Sequence, residues 1–351
     1  MIIHLTNVTG MGASNVVENL LPEMEKILLN KIEILLPEYG NLSYYESCLH
    51  RNKTRIYKRY LPSPISRLFE TLASNFLFSV KDSILVLGDI PLRIKSKQVL
   101  FLQNSLLLNN THAKTISQKL NFFIQRLIFK FNLPYVDCII IQTEFMKDKF
   151  TRMFPNYAGK VEVIPQSLPK WVKEFSLKRS GRKNLKFQKL RLFYPASLYA
   201  HKNHDLIFKL EAQKITSIQK LVLTIPSDSN GFSLIDWVDC VGVLDHQEMI
   251  EEYKITDGLF FLSLEESFGL PLLEAMHLNV PIICPDLPYS RNICGDQAIY
   301  FKSNCMHSLN KSIELLQYKL DNGWWPDWTD RVDSFPSSWG DVALKFTNTL
   351  K

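Results

Sequence analysis

The chain predicts an α/β fold with two Rossmann-like, doubly wound parallel sheets, one in each half. Three observations carry this. Short strand-length apolar runs alternate with amphipathic stretches along the whole sequence. Many of the runs are apolar at nearly every position, as strands covered on both faces require. The 351 residues also exceed what one small core can organise.

Strands are expected in the first half at "MIIHLTNV" (1–8), "KIEILLPE" (31–38), "DSILVLGD" (82–89), "KQVLFLQN" (97–104), "CIIIQT" (138–143) and "KVEVIPQ" (160–166). In the second half they are expected at "LRLFYPAS" (190–197), "KLVLTIP" (220–226), "VDCVGVL" (238–244), "GLFFLSL" (258–264), "PIICPD" (281–286) and "AIYF" (298–301). Stretches such as "SNVVENLLPEMEKILL" and "NHDLIFKLEAQK" have the period of amphipathic helices. Between the halves, "SLPKWVKEFSLKRSGRKNLKFQK" (167–189) is basic, lacks a strand and reads as a linker. The expected organisation is a domain over 1–166, a linker over 167–189, a second domain over 190–335 and a terminal helix over 336–351. Ser337 or Ser338 would cap that helix.

Composition narrows the function classes. At 46% hydrophobic and 22% charged, the chain belongs with soluble globular proteins, not with disordered or membrane-spanning ones. No apolar run approaches the roughly 20 residues a spanning helix needs. The best candidate, "SNFLFSVKDSILVLG", is interrupted by Lys81 and Asp82. The start, "MIIHLTNVTGMG", shows neither a basic leader nor a cleavage site, so no secretory signal is expected. Six scattered cysteines without a C-x-x-C pair read as reduced thiols of a cytoplasmic protein, and no metal set is expected from them.

The net charge is +6, unevenly placed. "HRNKTRIYKRYLPSPISR" (50–67) holds six basic residues and no acid. It reads either as a solvated face or as a surface drawn to phosphates, of a nucleic acid or of an anionic membrane. Aromatic and basic residues do not form a stacking platform, which argues against nucleic acid. "AKTISQKLNFFIQRLIFKF" mixes Lys114, Lys119, Arg126 and Lys130 with large apolar residues. It suits a helix lying on a membrane surface, and equally a buried connecting helix whose basic ends snorkel.

The chemistry concentrates in "EESFGLPLLEAM" (265–276), which follows the strand "GLFFLSL". In open α/β sheets ligands bind beyond the carboxyl ends of strands, where loops enter helices. Gly269 lets the backbone approach a ligand, and Pro271 suits a first helical turn. The amides around Phe268, Gly269 and Leu270 would then form a helix N-terminus that attracts phosphate or sugar oxygens. Glu266 stands just before that helix and Glu274 about one turn into it.

The phrase "ESFGLPLLEAMHLNVPIICPD" resembles the E-x7-E signature of retaining family-four (group 1) glycosyltransferases of the GT-B fold. That resemblance implies two Rossmann-like domains with a cleft between them and a last helix, here the one containing Trp339, crossing back to the first domain. It implies that Glu266 contacts the transferred sugar and Glu274 the ribose hydroxyls, which donate well to an ionised carboxylate. "YPASLYAHKNHDLIFKL" resembles the segment where the family places a lysine on the donor diphosphate, so Lys202 is the second catalytic candidate. Many members carry an arginine shortly before it; this chain offers Ser197 and His201. Backbone near Val243 would hold the base, and the Gly10–Gly12 loop resembles the family's N-terminal loop beside the donor, with Gly12 as a contact.

Where many members have a histidine, "LFLQN" presents Gln103 and Asn104, and Asp89 ends a neighbouring strand; these are acceptor-side candidates. An amide can hydrogen-bond a hydroxyl but cannot accept a proton near neutral pH. The resemblance implies front-face transfer with no cofactor and no metal, Lys202 and helix amides doing the work a metal does elsewhere. The expected donor is a nucleotide-sugar, UDP-linked in preference to GDP-linked. The expected acceptor is a glycan or lipid-linked oligosaccharide at the inner face of the cytoplasmic membrane, in O-antigen, capsule or lipopolysaccharide synthesis. Two alternatives stand beside this: a catalytically silent sugar-nucleotide binder, and a NAD-dependent enzyme, whose G-x-G-x-x-G loop would need glycine where Asn15 stands.

Overall fold

The computed structural model describes residues 1–8, 10–28, 32–59, 63–78, 83–108, 116–175, 189–213, 216–228 and 231–351. The chain divides into two compact units, Met1–Pro169 with Pro336–Lys351, and Lys170–Phe335. Each is an α/β unit around its own parallel sheet.

Among the described residues the first sheet has seven strands: β1 (Ile2–His4), β2 (Glu33–Leu36), β3 (Lys53–Ile56), β4 (Ser83–Val86), β5 (Lys97–Leu102), β6 (Cys138–Ile141) and β7 (Val161–Val163). Their order is β3-β2-β1-β4-β5-β6-β7, so the winding reverses between β1 and β4. Successive residues face opposite sides of a strand. On one side Leu100, Leu102, Ile139 and Ile141 pack with Phe129 of helix Ile116–Asn132 and Phe150 of helix Glu144–Met153. On the other, Phe101 meets Phe346 edge to face at 5.0 Å. Phe346 belongs to helix Trp339–Thr349, which packs along helix Met11–Ile27. Ser338 caps it by accepting the Asp341 amide, and Trp339 Nε1 donates to the Leu168 carbonyl at 2.8 Å.

Among the described residues the second sheet has six strands: β8 (Leu190–Tyr194), β9 (Ile218–Leu223), β10 (Val238–Cys240), β11 (Gly258–Phe260), β12 (Ile282–Pro285) and β13 (Ile299–Phe301). Their order is β10-β9-β8-β11-β12-β13, with the reversal between β8 and β11. Both sheets are buried between helices, which explains the near-continuous apolar runs.

One strand departs from the sequence reading. The basic run 50–67 contains β3, which pairs in parallel with β2 at the sheet edge and leaves all four residues exposed. With no buried face it needs no apolar pattern, and its lysine and arginine discourage further strand pairing. Of the expected linker, Lys170–Lys173 is a short helix within the second unit; Val172 is buried and the Trp171 ring stacks on His246 at 5.0 Å. His277 Nε2 donates to the Phe175 carbonyl at 3.0 Å. Linker residues 176–188, together with Lys81, Asp82 and Lys114, lie outside the described residues.

Candidate active site

In the second unit the reversal of strand order opens the sheet's carboxyl edge between β8 and β11, where α/β sheets bind ligands. The loop after β8 carries Ser197, His201 and Lys202; the loop after β11 carries Glu266, Phe268 and Gly269. Two main-chain ties hold the loops together. The Leu264 amide donates to the His201 carbonyl at 2.7 Å, and Tyr194, buried at the end of β8, donates its hydroxyl to the Lys202 carbonyl at 2.6 Å. Across this junction Lys202 Nζ donates to Glu266 Oε1 at 2.5 Å, each side chain mostly but not wholly buried. Lys202 Nζ also lies 5.8 Å from the centre of the Phe261 ring. The two catalytic candidates, 64 positions apart, are therefore in direct contact.

Gly269 turns the chain into helix Leu270–His277 with φ +91° and ψ 59°, a left-handed conformation open to glycine at no steric penalty. A Cβ there would press on Leu272 Cδ1 at 3.2 Å and lie 3.9 Å from Glu266 Cγ. Pro271 sits in the first turn, where its missing N–H is no loss. Phe268 is buried and meets Phe335 edge to face at 5.7 Å, anchoring the loop between Glu266 and the helix.

Glu274 lies in that helix, nearly inaccessible, and accepts the Tyr253 hydroxyl on Oε2 at 2.8 Å. Burial pushes its carboxyl up to about 7, against the Tyr253 hydrogen bond, which favours the ionised form. His204, one residue past the left-handed Asn203, is sandwiched between Tyr194 and Phe232. Burial first, then the Lys202 charge, hold its imidazole down at about 4, so it is neutral near pH ~7. Val243 is exposed on the loop after β10, where Gly242 takes φ +78°. By strand spacing that loop lies two strands, about 10 Å, from the β8 edge.

Residues 178–318 match the family model for glycosyl transferases group 1. This chain carries a group 1 glycosyltransferase domain. A curated relative, the O-antigen chain mannosyltransferase B of Escherichia coli, is 27% identical over 117 residues, 33% of this chain and 30% of that protein. The matched stretches span no more than 30% of the length of the first curated relatives. Among solved structures, WaaG, a glycosyltransferase involved in lipopolysaccharide biosynthesis, shares the fold over the whole of both chains at 10% identity and TM-score 0.69. Anabaena HepE in complex with UDP-glucose does so over 99% of this chain and 98% of its own at 12% identity and TM-score 0.68. The two-domain GT-B fold is thereby established.

Within the group 1 domain, sequence reasoning missed the aromatic supports: Tyr253 on Glu274, Tyr194 beneath Lys202, and Tyr289, whose buried hydroxyl donates to the Ser263 carbonyl in the loop after β11. Each acts on a residue 8 to 26 positions away. No local spacing announces such contacts. Among the described residues no group of three or more His, Cys, Asp or Glu is placed to hold a metal ion.

The candidates from the first unit gather at the carboxyl edge of its sheet. Asp89, at φ +66° after β4, accepts the amides of Gln103 and Asn104 on Oδ1 at 2.6 and 2.9 Å. Burial pushes its carboxyl up to about 6 against those two bonds. Gln103 Nε2 donates to the Leu87 carbonyl, and Asn104 Oδ1 accepts the Leu106 amide as a helix cap. All three thus bond main chain and stitch the loops after β4 and β5 together. Gly10 caps helix Met11–Ile27 in extended conformation, and Gly12 already lies inside its first turn, exposed, with nothing within 4 Å of an added Cβ. Neither glycine makes a left-handed turn, and Gly10, with no side chain, gives the helix no side-chain cap.

The sequence reading also missed a buried polar cluster beyond β1. His4 Nε2 and the Thr6 hydroxyl donate to Glu70 Oε1, and Arg59 Nη2 donates to Glu70 Oε2 at 2.8 Å and to Asn7 Oδ1 at 2.8 Å. Burial alone would raise the Glu70 carboxyl; these donors hold it at about 2.

Proposed function

We propose that the chain is a retaining, metal-independent glycosyltransferase. It moves a sugar from a nucleotide-sugar, UDP-linked by preference and GDP-linked as the competing case, to a glycan acceptor. The acceptor is lipid-linked and presented at the inner face of the cytoplasmic membrane during O-antigen, capsule or lipopolysaccharide assembly. The observation that carries this reading is the Lys202–Glu266 contact at the β8/β11 reversal, set before the glycine-led helix that carries Glu274. The O-antigen mannosyltransferase relative and the HepE complex with UDP-glucose support it.

In this mechanism the diphosphate lies against Lys202 and the amides at the start of helix Leu270–His277, the cation offsetting charge that builds on the departing group. Glu266 receives sugar hydroxyls and Glu274 the ribose pair. The bond from the anomeric carbon to phosphate oxygen breaks, its electron pair staying on that oxygen. The acceptor hydroxyl bonds the anomeric carbon on the same face, and its proton passes to the departing phosphate oxygen. Lys202 must leave Glu266 for the diphosphate, so the donor exchanges one charge-assisted contact for another.

The test begins with a thermal-shift panel of UDP- and GDP-sugars, in which the true donor raises the melting temperature by mass action. Transfer is then measured with that donor. Lys202→Ala and Glu274→Ala should each lower it by roughly two to three orders of magnitude with folding intact. Undiminished transfer in either variant removes that residue from the reaction. Donor binding without transfer by the parent chain, across acceptors, would favour the silent binder.

A further inference from the structure

Two helical segments on one face of the first sheet turn apolar stripes toward solvent. In helix Ser63–Leu72, Ile65, Leu68, Phe69 and Leu72 are exposed, and Phe76 in the following turn is 94% exposed. In helix Ile116–Asn132 the exposed stripe runs through Ile116, Leu120, Phe123 and Leu127, with Ile116 86% exposed. Spacings of three and four place each set along one side of its helix. The inner side of the second helix is also apolar, with Phe129 in the core. The outer stripe is therefore additional to what the fold needs.

The two helices share a surface. Phe78, after the first, and Phe129, in the second, belong to the same core cluster. Residues 91–96 bridge them: the Arg93 amide donates to the Thr71 carbonyl at 2.8 Å, the Lys95 amide to Asn75 Oδ1 at 3.1 Å, and Asn132 Nδ2 to the Pro91 carbonyl at 2.8 Å. The exposed charges of these two helices and their bridge are basic. Arg93, Lys95, Lys119 and Lys130 are exposed. The sequence of helix Ile116–Asn132 contains no acid, and the acid of helix Ser63–Leu72, Glu70, is buried against His4 and Arg59.

We propose that this face seats the chain on an anionic bilayer, its apolar stripes in the headgroup–acyl boundary and its cations at lipid phosphates. No described helix is long and apolar enough to cross a membrane, so contact is along the surface. A second copy of the chain suits the face less well. An isologous contact would set these cations against their own copies, and lysine is depleted from protein–protein interface cores. The face is read from the first unit alone and does not depend on the donor site in the second. A lipid-linked acceptor is the substrate such a seat would serve.

The test is co-sedimentation of the full chain with phosphatidylcholine vesicles, with and without phosphatidylglycerol. Binding should require phosphatidylglycerol and weaken with added salt. The double substitution Leu120→Asp with Phe123→Asp should reduce binding by roughly tenfold or more. Melting temperature and any nucleotide-sugar thermal shift should stay as in the parent chain. If that variant does not fold, Lys119→Glu with Lys130→Glu, at exposed positions, carries the same expectation. Absence of binding to phosphatidylglycerol vesicles overturns the proposal, and so does equal binding by parent and folded variants. A solution dimer that these substitutions dissociate assigns the face to a second copy and also overturns it.

Discussion

Glu274 is a single carboxyl buried at the expense of stability. Its carboxyl is almost fully enclosed, with the Tyr253 hydroxyl as a hydrogen-bond donor, and titrates at about 7 instead of the ordinary 4.5. Between those two values the folded protein keeps a proton that the unfolded chain has released. Stability therefore falls as pH rises through that window, by on the order of 3 kcal/mol once pH is above ~7. Glu274→Gln, which can still accept from Tyr253, removes the ionisation penalty. The variant should match the parent near pH ~4.5 and exceed it progressively toward pH ~8, by urea denaturation at each pH. A constant difference across the series would show that this carboxyl does not titrate in the fold as described. The Glu residues at 266 and 274 were both legible in the sequence; the Tyr253 that tunes one of them was not, because its partner lies 21 positions away on another helix.

At the scale of an element, helix Leu270–His277 depends on how it begins. Gly269 holds a left-handed conformation and closes the gap between Leu272 and Glu266. Gly269→Ala adds a strained backbone and a methyl group 3.2 Å from Leu272 Cδ1, together costing about 2 kcal/mol. The strain is expected to relax by shifting the Glu266 loop. Donor affinity should then fall along with melting temperature, as titration calorimetry and thermal denaturation would report. Unchanged affinity would separate the loop's position from Gly269. The edge strand β3 gives the opposite lesson. Its exposed Lys-Thr-Arg-Ile sequence has no buried face, and partnership with β2 alone makes it a strand.

On the scale of the whole molecule, the terminal helix Trp339–Thr349 belongs to the first unit although the second unit's sequence precedes it. Phe346 is buried against Phe101 of β5, and truncating it leaves a cavity that nearby side chains fill only in part. Phe346→Ala should destabilise the first unit by about 3–4 kcal/mol. A chain in which the two units melt separately would show the shift in the first unit's transition, resolved by calorimetry. A shift confined to the other transition would contradict the packing. Local chemistry by itself determined twelve of the strands, the Gly-Pro helix start and the two glutamates at E-x7-E spacing, because continuous apolar runs, φ requirements and the spacing of two acids are written in neighbouring residues. Tertiary structure alone decided that Lys202 meets Glu266, that Asp89, Gln103 and Asn104 bond main chain, that β3 is a strand and that the outer stripe of helix Ile116–Asn132 faces solvent. Each of those depends on which distant segment is brought alongside. A helix apolar on two sides buries one of them, and only its neighbours determine which.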